Sequence, residues 1–277
     1  MSRKPTGRAR ELGATLRRYR LAAEWTEINA ARSLRLSACQ LSRIESGERG
    51  ISDVNVARCL TLYGVAVEEI NEVLAVAREA NDGYRLKAHN DKLPDELRTL
   101  MHHETTASHI DFFEPSLIPG LLQTEDYARA LLRWGGLFPE DGIELRVQAR
   151  MERQRLLRCD RRPVMRFFIH ETALAPQIFS SEIMEEQLLL LMLACNWRDC
   201  EIRLVPAETV PNGVFGGPFM FMRYADYHPV AYVENIRTSE FIEDATDLRV
   251  YRSIVNRLAS LALPEGESRE RLAAMAT

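Results

Sequence analysis

Near the start of the chain, two short helical segments are separated by only a few residues, and this pair constrains the fold more than any other feature. Thr26 can cap the first segment, and Ser37 followed by Gln40 is the capping-box pattern that opens the second. Ser46-Gly47 ends the second segment, because glycine readily adopts the left-handed conformation found at helix stops. Together with the tight turn at Arg35-Leu36, these signals predict a helix, a turn and a second helix.

The apolar spacing around this pair predicts an all-α domain of five helices. The expected helices cover Glu11–Ala23, Thr26 to Ser33, Ser37 to Ser46, a segment from Ser52 or Asp53 to Gly64, and Val67–Arg78. The expected inward positions are Leu12, Leu16, Tyr19, Leu21, Ile28, Ala31, Leu41, Ile44, Val56, Leu60 and Leu62, with Arg17, Arg18 and Arg20 off the apolar stripe.

The helix that begins at Ser37 is the candidate for contact with nucleic acid. In a helix pair of this kind the second helix can lie in the DNA major groove, which is about 12 Å wide. The outward positions are small or polar, which permits close approach to base edges; they are Ala38, Cys39, Gln40, Ser42 and Arg43. Arg43 can bond guanine O6 and N7 or hold a phosphate, and Ala38 could contact a thymine methyl group.

The segment Leu34–Gly50 resembles the second half of the helix-turn-helix in the Xre/Cro-repressor family of transcription regulators. The resemblance implies that Ser37, Ala38, Cys39, Gln40, Ser42 and Arg43 face bases and phosphates, and we add Arg49, at the end of the motif, to the DNA-binding set. Members of the family usually have Gln at the start of the preceding helix, where it contacts a phosphate, but this chain has Glu27. Because a carboxylate repels a phosphate, either Glu27 turns to an arginine neighbour or backbone amides hold the phosphate.

The charge distribution indicates that the N-terminal part of the chain binds a polyanion and that the rest of the chain does not. Residues 1–58 hold 12 Lys and Arg against 6 Asp and Glu, a net charge of +6, whereas the remainder has a net charge of −10.

The five cysteines lack C-x-x-C spacing, which favours reduced thiols over disulfides or a zinc site. No apolar run is long enough for a membrane span, and no hydrophobic stretch follows the basic N-terminus. We therefore expect a cytoplasmic protein, nucleoid-associated when bound to DNA.

Residues 81–93 are polar and predict a linker between a first domain, residues 1–80, and a second domain, residues 94–277. The second domain is predicted to be α+β, with a small sheet and several long helices. The expected helices are Pro94–Thr106, one that begins at Thr124, Glu140–Arg158, one around Leu188–Leu193, and Leu248–Leu263. The expected strands are Met165–His170, Ile202–Val205, Phe219–Tyr224 and Val230–Ile236.

Several motifs of the second domain resemble an uncharacterised effector domain attached to many Xre-type regulators of filamentous, antibiotic-producing bacteria. They are Glu114–Ala128, Arg150–Gln154, His170-Glu171 and Phe215–Phe219. Such regulators are commonly paired with a small protein encoded beside them. The resemblance implies a partner but gives no residue a chemical role.

Two clusters contain residue types that are typical of metal or catalytic sites. His102-His103-Glu104 with His109 suggests a metal site, but adjacent histidines point to different sides of a helix, so we interpret it as solvated surface and expect no metal or other cofactor. His170-Glu171 with Glu234 suggests an acid–base site at one sheet edge, although capped strand ends have the same pattern.

Two further segments have weaker patterns. Arg237–Asp244 faintly resembles mono-ADP-ribosyltransferases, with poor order and spacing. Gly213–Pro218 lacks the Lys-Ser/Thr of a phosphate loop and is better explained as a chain reversal.

These observations predict a sequence-specific DNA-binding transcription regulator without enzymatic activity. We expect it to bind double-stranded DNA as a homodimer, with a second domain that dimerises or binds a small protein partner or a ligand. Two alternatives stay open: an autoregulating, antitoxin-like interaction protein, and an enzyme carried on a DNA-binding head.

Overall fold

The computed structural model describes residues 7–78, 84–87, 95–175, 179–235 and 238–276. They form two compact units, one made mostly of residues up to 84 and the other mostly of later residues. Part of the predicted linker, residues 81–93, lies outside the described residues, but Tyr84–Lys87 within it forms a short strand, β1.

Within the described residues up to 78, the first unit consists of five α-helices, as predicted. They are α1 (Gly7–Ala22), α2 (Glu27–Leu34), α3 (Ala38–Glu45), α4 (Asp53–Leu62) and α5 (Val67–Arg78). Helix α1 begins at Gly7 rather than at Glu11. Helices α2 and α3 begin after the predicted caps Thr26 and Ser37, whose side chains accept hydrogen bonds from the first turn. Helices α4 and α5 begin at the predicted residues, but Ser52 makes no side-chain capping bond at the start of α4.

The core of the first unit contains most of the predicted inward residues, including Leu16, Leu41 and Leu60. Leu21 and Ile28 were predicted to face inward but are 58% and 63% exposed. Leu21 lies about 140° around the helix from Leu16 at 100° per residue, and α2 packs through Ala30, Ala31 and Leu34 instead.

The second unit is α+β, as predicted. Within the described residues seven strands form one sheet in the order β1-β7-β6-β5-β2-β3-β4. The strands after β1 are β2 (His109–Glu114), β3 (Val164–His170), β4 (Cys200–Val205), β5 (Phe219–Arg223), β6 (Val230–Glu234) and β7 (Thr238–Ile242). The pairs β2–β3 and β3–β4 are parallel, whereas β5 runs antiparallel to both β2 and β6.

Six α-helices lie among the described residues of the second unit. They are α6 (Asp95–Thr106), α7 (Glu125–Gly135), α8 (Glu140–Arg153), α9 (Ser181–Ala194), α10 (Ala245–Leu261) and α11 (Glu265–Met275). Helix α8 ends before the predicted Arg158, because the chain tightens into a 3-10 turn over Gln154–Arg158. Helix α11 was not predicted.

Helices cover both faces of the sheet. Successive residues of a strand point to opposite faces, so Phe219 and Met220 of β5 mark the two sides. The ring of Tyr251 on α10 lies 5.2 Å from that of Phe219, and Arg153 of α8 lies beside the sulfur of Met220. Strand β2, in the middle of the sheet, is therefore buried on both sides.

The state of the cysteines and the length of the apolar helices bear on the sequence predictions. All five cysteines are free. Among the described residues, no helix has both the length and the apolar character that crossing a membrane would require.

Candidate nucleic-acid interface

Local signals hold α2 and the turn after it in place. The hydroxyl of Thr26 accepts a hydrogen bond from the amide of Asn29, which caps α2 as predicted. Arg35 ends the helix in the left-handed conformation, with φ at 60°. The amide of Leu36 then donates to the carbonyl of Ala31 at 2.8 Å, so the chain reverses within a few residues.

A reciprocal capping box begins α3. The amide of Gln40 donates to the Ser37 hydroxyl at 3.1 Å, and the amide of Ser37 donates to the Gln40 side-chain oxygen at 2.9 Å. Two amides that a helix start would leave without partners are thereby satisfied. The box fixes the residue at which α3 begins, and hence which of its side chains point outward.

Two glycines allow the end of α3 to pack directly against the backbone of α1. A Cβ on Gly13 would lie 2.4 Å from the carbonyl oxygen of Ile44, and a Cβ on Gly47 would lie 2.6 Å from the amide nitrogen of Arg10. Gly47 also has φ at +75°, a conformation that other residues adopt at a cost. The backbones of the two helices thus approach as closely as sterics allow, which fixes the orientation of α3.

A buried ion pair also joins α1 to α3. The Arg20 guanidinium binds the Glu45 carboxylate in bidentate geometry, at 2.6 Å from Nε and 2.7 Å from Nη2. Both residues are buried, and hydrogen bonding to Glu45 is the main cause that raises the Arg20 pKa. The sequence placed Arg20 off the apolar stripe and missed this role, because its partner lies 25 residues away.

The outer face of α3 is the part of the first unit suited to contact with DNA. Cys39, Ser42 and Arg43 are exposed, and they lie three or four residues apart, on one side of the helix. The Nε of Arg43 lies 3.5 Å from the carboxylate of Glu48, but the two side chains are 63% and 51% exposed. An ion pair so exposed is weak and leaves Arg43 able to reach another anion.

The other predicted DNA-binding residues surround this face. Ser37 and Arg49 are exposed, whereas Ala38, Gln40 and Glu27 are half-buried. The charge of Glu27 contributes, after Glu45 and Tyr63, to the raised pKa of Arg20. Contact of any of these residues with DNA stays a prediction.

The interpretation of residues 102–104 as solvated surface is wrong for two of them. His103 and Glu104 are buried, at 0% and 1% exposure. The Nδ1 of His103 lies 2.7 Å from the hydroxyl of Tyr224, and Glu104 binds Arg153 through three hydrogen bonds of 2.7–3.1 Å. Both partners lie far away in the sequence, so the local pattern could not indicate burial. Among the described residues, no three or more His, Cys, Asp or Glu side chains form a group that could hold a metal ion.

The structure does not bring the considered acid–base residues together. His170 and Glu234 end β3 and β6, and two other strands lie between these in the sheet. His170 is buried, with Nε2 2.6 Å from the carbonyl oxygen of Val210, and Glu171 pairs with Arg271. These contacts are those of a capped strand end.

The two remaining segments have simple structures. Gly213 and Gly216 both have φ at +81°, which agrees with a chain reversal. Of the segment 237–244, Arg237 lies outside the described residues, and Thr238–Ile242 forms β7.

Comparison with known proteins gave two family matches and a few related structures. Residues 11–73 match a helix-turn-helix domain, and residues 97–274 match a domain of unknown function, DUF5753. No curated protein matches the chain.

One related structure is the clp gene regulator ClgR from C. glutamicum, with 28% identity over 27% of this chain and 95% of that chain and a TM-score of 0.23. Another is TrmBL2, described as an archaeal chromatin protein with a novel mode of DNA binding, with 12% identity over 78% of this chain and 72% of that chain and a TM-score of 0.30. TM-scores this low carry no weight for the fold or the function.

The two family matches agree with the two compact units. The helix-turn-helix match contains the α2–turn–α3 unit with its capping box, and the longer match contains the sheet from β2 to β7. Because DUF5753 matches more than half of the chain, the protein belongs to the family that this domain defines, and it carries a helix-turn-helix domain ahead of it.

Proposed function

We propose that this protein is a sequence-specific DNA-binding transcription regulator of the Xre/Cro-repressor type, of the kind found in filamentous, antibiotic-producing bacteria. The observation that carries the proposal is the outer face of α3, where Cys39, Ser42 and Arg43 are exposed on a helix fixed from behind by Gly13 and by the Arg20–Glu45 pair. A recognition helix needs both properties, short polar side chains outward and a rigid seat inward.

The dimensions of α3 fit the major groove. Its eight residues span about 12 Å at 1.5 Å per residue, close to the width of the groove. A single helix this short reads only a few base pairs, so we propose that a homodimer reads two half-sites about 34 Å apart. The protein would act in the cytoplasm, at the nucleoid.

Electrostatics supports the same function. The excess of basic residues in positions 1–58 would attract the phosphate backbone, and each neutralised phosphate would release counterions. Binding should therefore weaken steeply as salt rises. Binding that is independent of salt concentration would contradict the proposal.

The test begins with selection of a preferred duplex from a random-sequence pool by the purified full chain. Affinity for that duplex is then measured for wild type, Arg43→Ala and Arg252→Ala, the last an exposed arginine of α10 that controls for loss of one positive charge. If Arg43 reads guanine, its removal costs about 1–3 kcal/mol and relaxes the preference at one base pair.

Equal losses for Arg43→Ala on every duplex would make Arg43 a phosphate contact. No enrichment of any sequence, or no binding even at low salt, would refute the proposed function.

We further propose that the second unit supplies the regulatory input, as a site for dimerisation, for a small protein partner or for a ligand, and that it has no catalytic activity. The absence of catalysis is supported by the contacts of His170, whose ring nitrogens are engaged by Val210 and Thr172. Purification from native cells, followed by mass spectrometry of bound proteins and small molecules, would identify the input. Consumption of NAD or an acyl substrate by the purified chain would refute the non-enzyme part.

A further inference from the structure

A recess at the end of β2 contains charged groups whose bonds within the protein are incomplete. Glu114 is the last residue of β2 and lies on the same face of the sheet as Met220, which α8 covers through Arg153. Arg150 and Arg153 are three residues apart on α8 and face this end of the strand. The recess lies wholly within the second unit.

The two arginines have different partners. Arg153 is neutralised by Glu104, which it binds with both Nε and Nη2. Arg150 donates from Nη1 to the side-chain oxygen of Gln123 at 2.6 Å, and Gln123 is an uncharged amide. Among the described residues, no carboxylate forms an ion pair with Arg150 and no acceptor takes its Nε or Nη2 hydrogens. The charge of Glu234 acts on Arg150 without forming an ion pair, and the Nε and Nη2 donors of Arg150 have no acceptor among the described residues.

Among the described residues, Glu114 forms no ion pair with Arg150. Within the described part of the chain, its carboxyl group takes part in no hydrogen bond. Burial raises the pKa of Glu114 to about 8, and the charge of Glu234 adds to this effect, whereas Arg153 and Arg150 oppose it. At neutral pH Glu114 is consequently mostly uncharged and can donate a hydrogen bond.

The chain after β2 leaves space beside the free donors of Arg150. A Cβ on Gly120 would lie 3.8 Å from Nε of Arg150 and 3.5 Å from Nη1 of Arg153, in ordinary contact with both. The backbone at Gly120 therefore leaves room for at least a methyl group beside the two guanidinium groups. Tyr127 lines the same recess: its hydroxyl accepts from the amide of Ile118, and no described residue accepts its proton.

We propose that this recess binds a small molecule through its carboxylate, which pairs with Nε and Nη2 of Arg150 beside Glu114 and Gly120. The planar fork of an arginine matches the two oxygens of a carboxylate. The charge of Glu234 already acts on Arg150, so what stays unmatched is the fork of Nε and Nη2 rather than a net charge, which favours a monocarboxylate over a phosphate dianion. The inference rests on the proposed regulatory role of the second unit, but its test uses no DNA, so its failure and that of DNA binding by α3 are separable.

The test is thermal unfolding of the full chain with sodium acetate, propionate or benzoate at constant ionic strength set with sodium chloride. A ligand that binds only the folded state raises Tm in a saturable manner. We expect at least one carboxylate to do so, and inorganic phosphate and methylammonium chloride not to. No saturable rise with any carboxylate, or a rise with phosphate or methylammonium alone, would overturn the proposal.

Matched variants locate the site. Arg150→Ala should weaken carboxylate binding roughly ten- to a hundredfold, the range for loss of charge-assisted hydrogen bonds. Arg155→Ala, at an exposed arginine nearby, should leave it unchanged. Should Arg150→Ala fail to fold, Gly120→Ala fills the space beside Nε in ordinary contact, and Gly266→Ala, which meets nothing within 4 Å, is its control. Equal binding by Gly120→Ala and Gly266→Ala would count against the site.

The pH dependence provides a separate check. The groups around Glu114 are Glu234 and Tyr232 of β6, Arg150 and Arg153 of α8 with Glu104 of α6 behind them, and Tyr127 of α7. Because a neutral Glu114 favours a bound anion and an ionised one repels it, carboxylate affinity should fall as pH rises above about 8. Glu114→Gln should bind as wild type at pH 6.5 and keep its affinity at pH 9. A parallel fall in both proteins would contradict this arrangement.

Discussion

The outer face of α3 takes its residues from eight consecutive positions, whereas the recess around Arg150 collects residues from β2, the turn after it, α7 and α8. The first site is exposed and its bounds are set by caps and turns that adjacent residues form. The second depends on tertiary packing, because Glu104 and Arg153 meet across 49 positions of the chain. Neighbouring residues in the sequence can thus form a surface for a large partner such as DNA. A recess for a small molecule needs residues from distant parts of the sequence, which only the fold brings together.

Both sites nevertheless have one structural feature in common: a buried ion pair lies behind the proposed binding surface. Arg20–Glu45 holds α3 against α1, and Arg153–Glu104 holds α8 against α6. In each pair the carboxylate is almost fully buried. Each pair fixes the helix that presents the neighbouring surface.

The largest effects should come from breaking these pairs. Glu45→Ala and Glu104→Ala each leave an arginine charge buried without its partner, which should cost about 3–5 kcal/mol of the free energy of unfolding. Urea unfolding followed by circular dichroism measures this cost. Glu48→Ala is the control, because its exposed pair with Arg43 should contribute no more than about 1 kcal/mol. Equal effects of Glu45→Ala and Glu48→Ala would show that the buried pair is not a structural clamp.

Close contact between α1 and α3 predicts the next largest effect. Gly13→Ala places a methyl group against the carbonyl oxygens of Ile44 and Glu45, so the helices must separate, at a cost of about 1–3 kcal/mol. DNA affinity should fall as well, since α3 then moves. Gly266→Ala adds the same methyl group in open space on α11 and should leave stability unchanged or slightly raised. A neutral Gly13→Ala would show that the orientation of α3 does not depend on this contact.

The capping box offers a smaller and purely local test. Ser37→Ala removes the acceptor for the Gln40 amide and should cost about 1 kcal/mol, while Ser37→Asp should retain most of the stability because it also caps. The same urea titration compares the two. If Ser37→Asp is as destabilised as Ser37→Ala, the side chain of Ser37 has another role.

Glu27→Gln should have the smallest effect on folding and a visible effect on binding. The substitution replaces a carboxylate at the start of α2 by the amide usual in the resembled family. Stability should change by no more than about 0.5 kcal/mol, as for most surface positions. Affinity for DNA should rise several-fold, measured by fluorescence anisotropy with the selected duplex. An unchanged affinity would mean that Glu27 does not approach a phosphate.

The same contrast between local and tertiary signals explains what the sequence could predict. The starts of α2, α3 and α7 follow from Thr26, Ser37 and Thr124, because each caps its helix within three residues. Strand β2 was missed because it is covered on both sides and shows no alternation of polar and apolar residues. Its Asp111 is buried only because Arg166 and Arg223, on neighbouring strands, neutralise it.

The recess could be predicted only in part. Glu114–Ala128 and Arg150–Gln154 were recognised as motifs of an effector domain, so the sequence did indicate the segments involved. That Arg150 keeps free donors while Arg153 does not depends on Glu104, which was interpreted as surface. Pairings of this kind require the coordinates.

The most direct test of the account is the reactivity of Cys39 with a maleimide in a Cys159→Ser background, with and without the selected duplex. Cys39 is exposed on the outer face of α3, while Cys59, Cys195 and Cys200 are buried, and burial raises the pKa of Cys59 to about 11 and of Cys200 to about 12, which keeps them unreactive. We expect bound duplex to slow modification of Cys39, and prior modification to abolish binding. Modification of Cys39 at the same rate when duplex is fully bound would show that DNA contacts another surface.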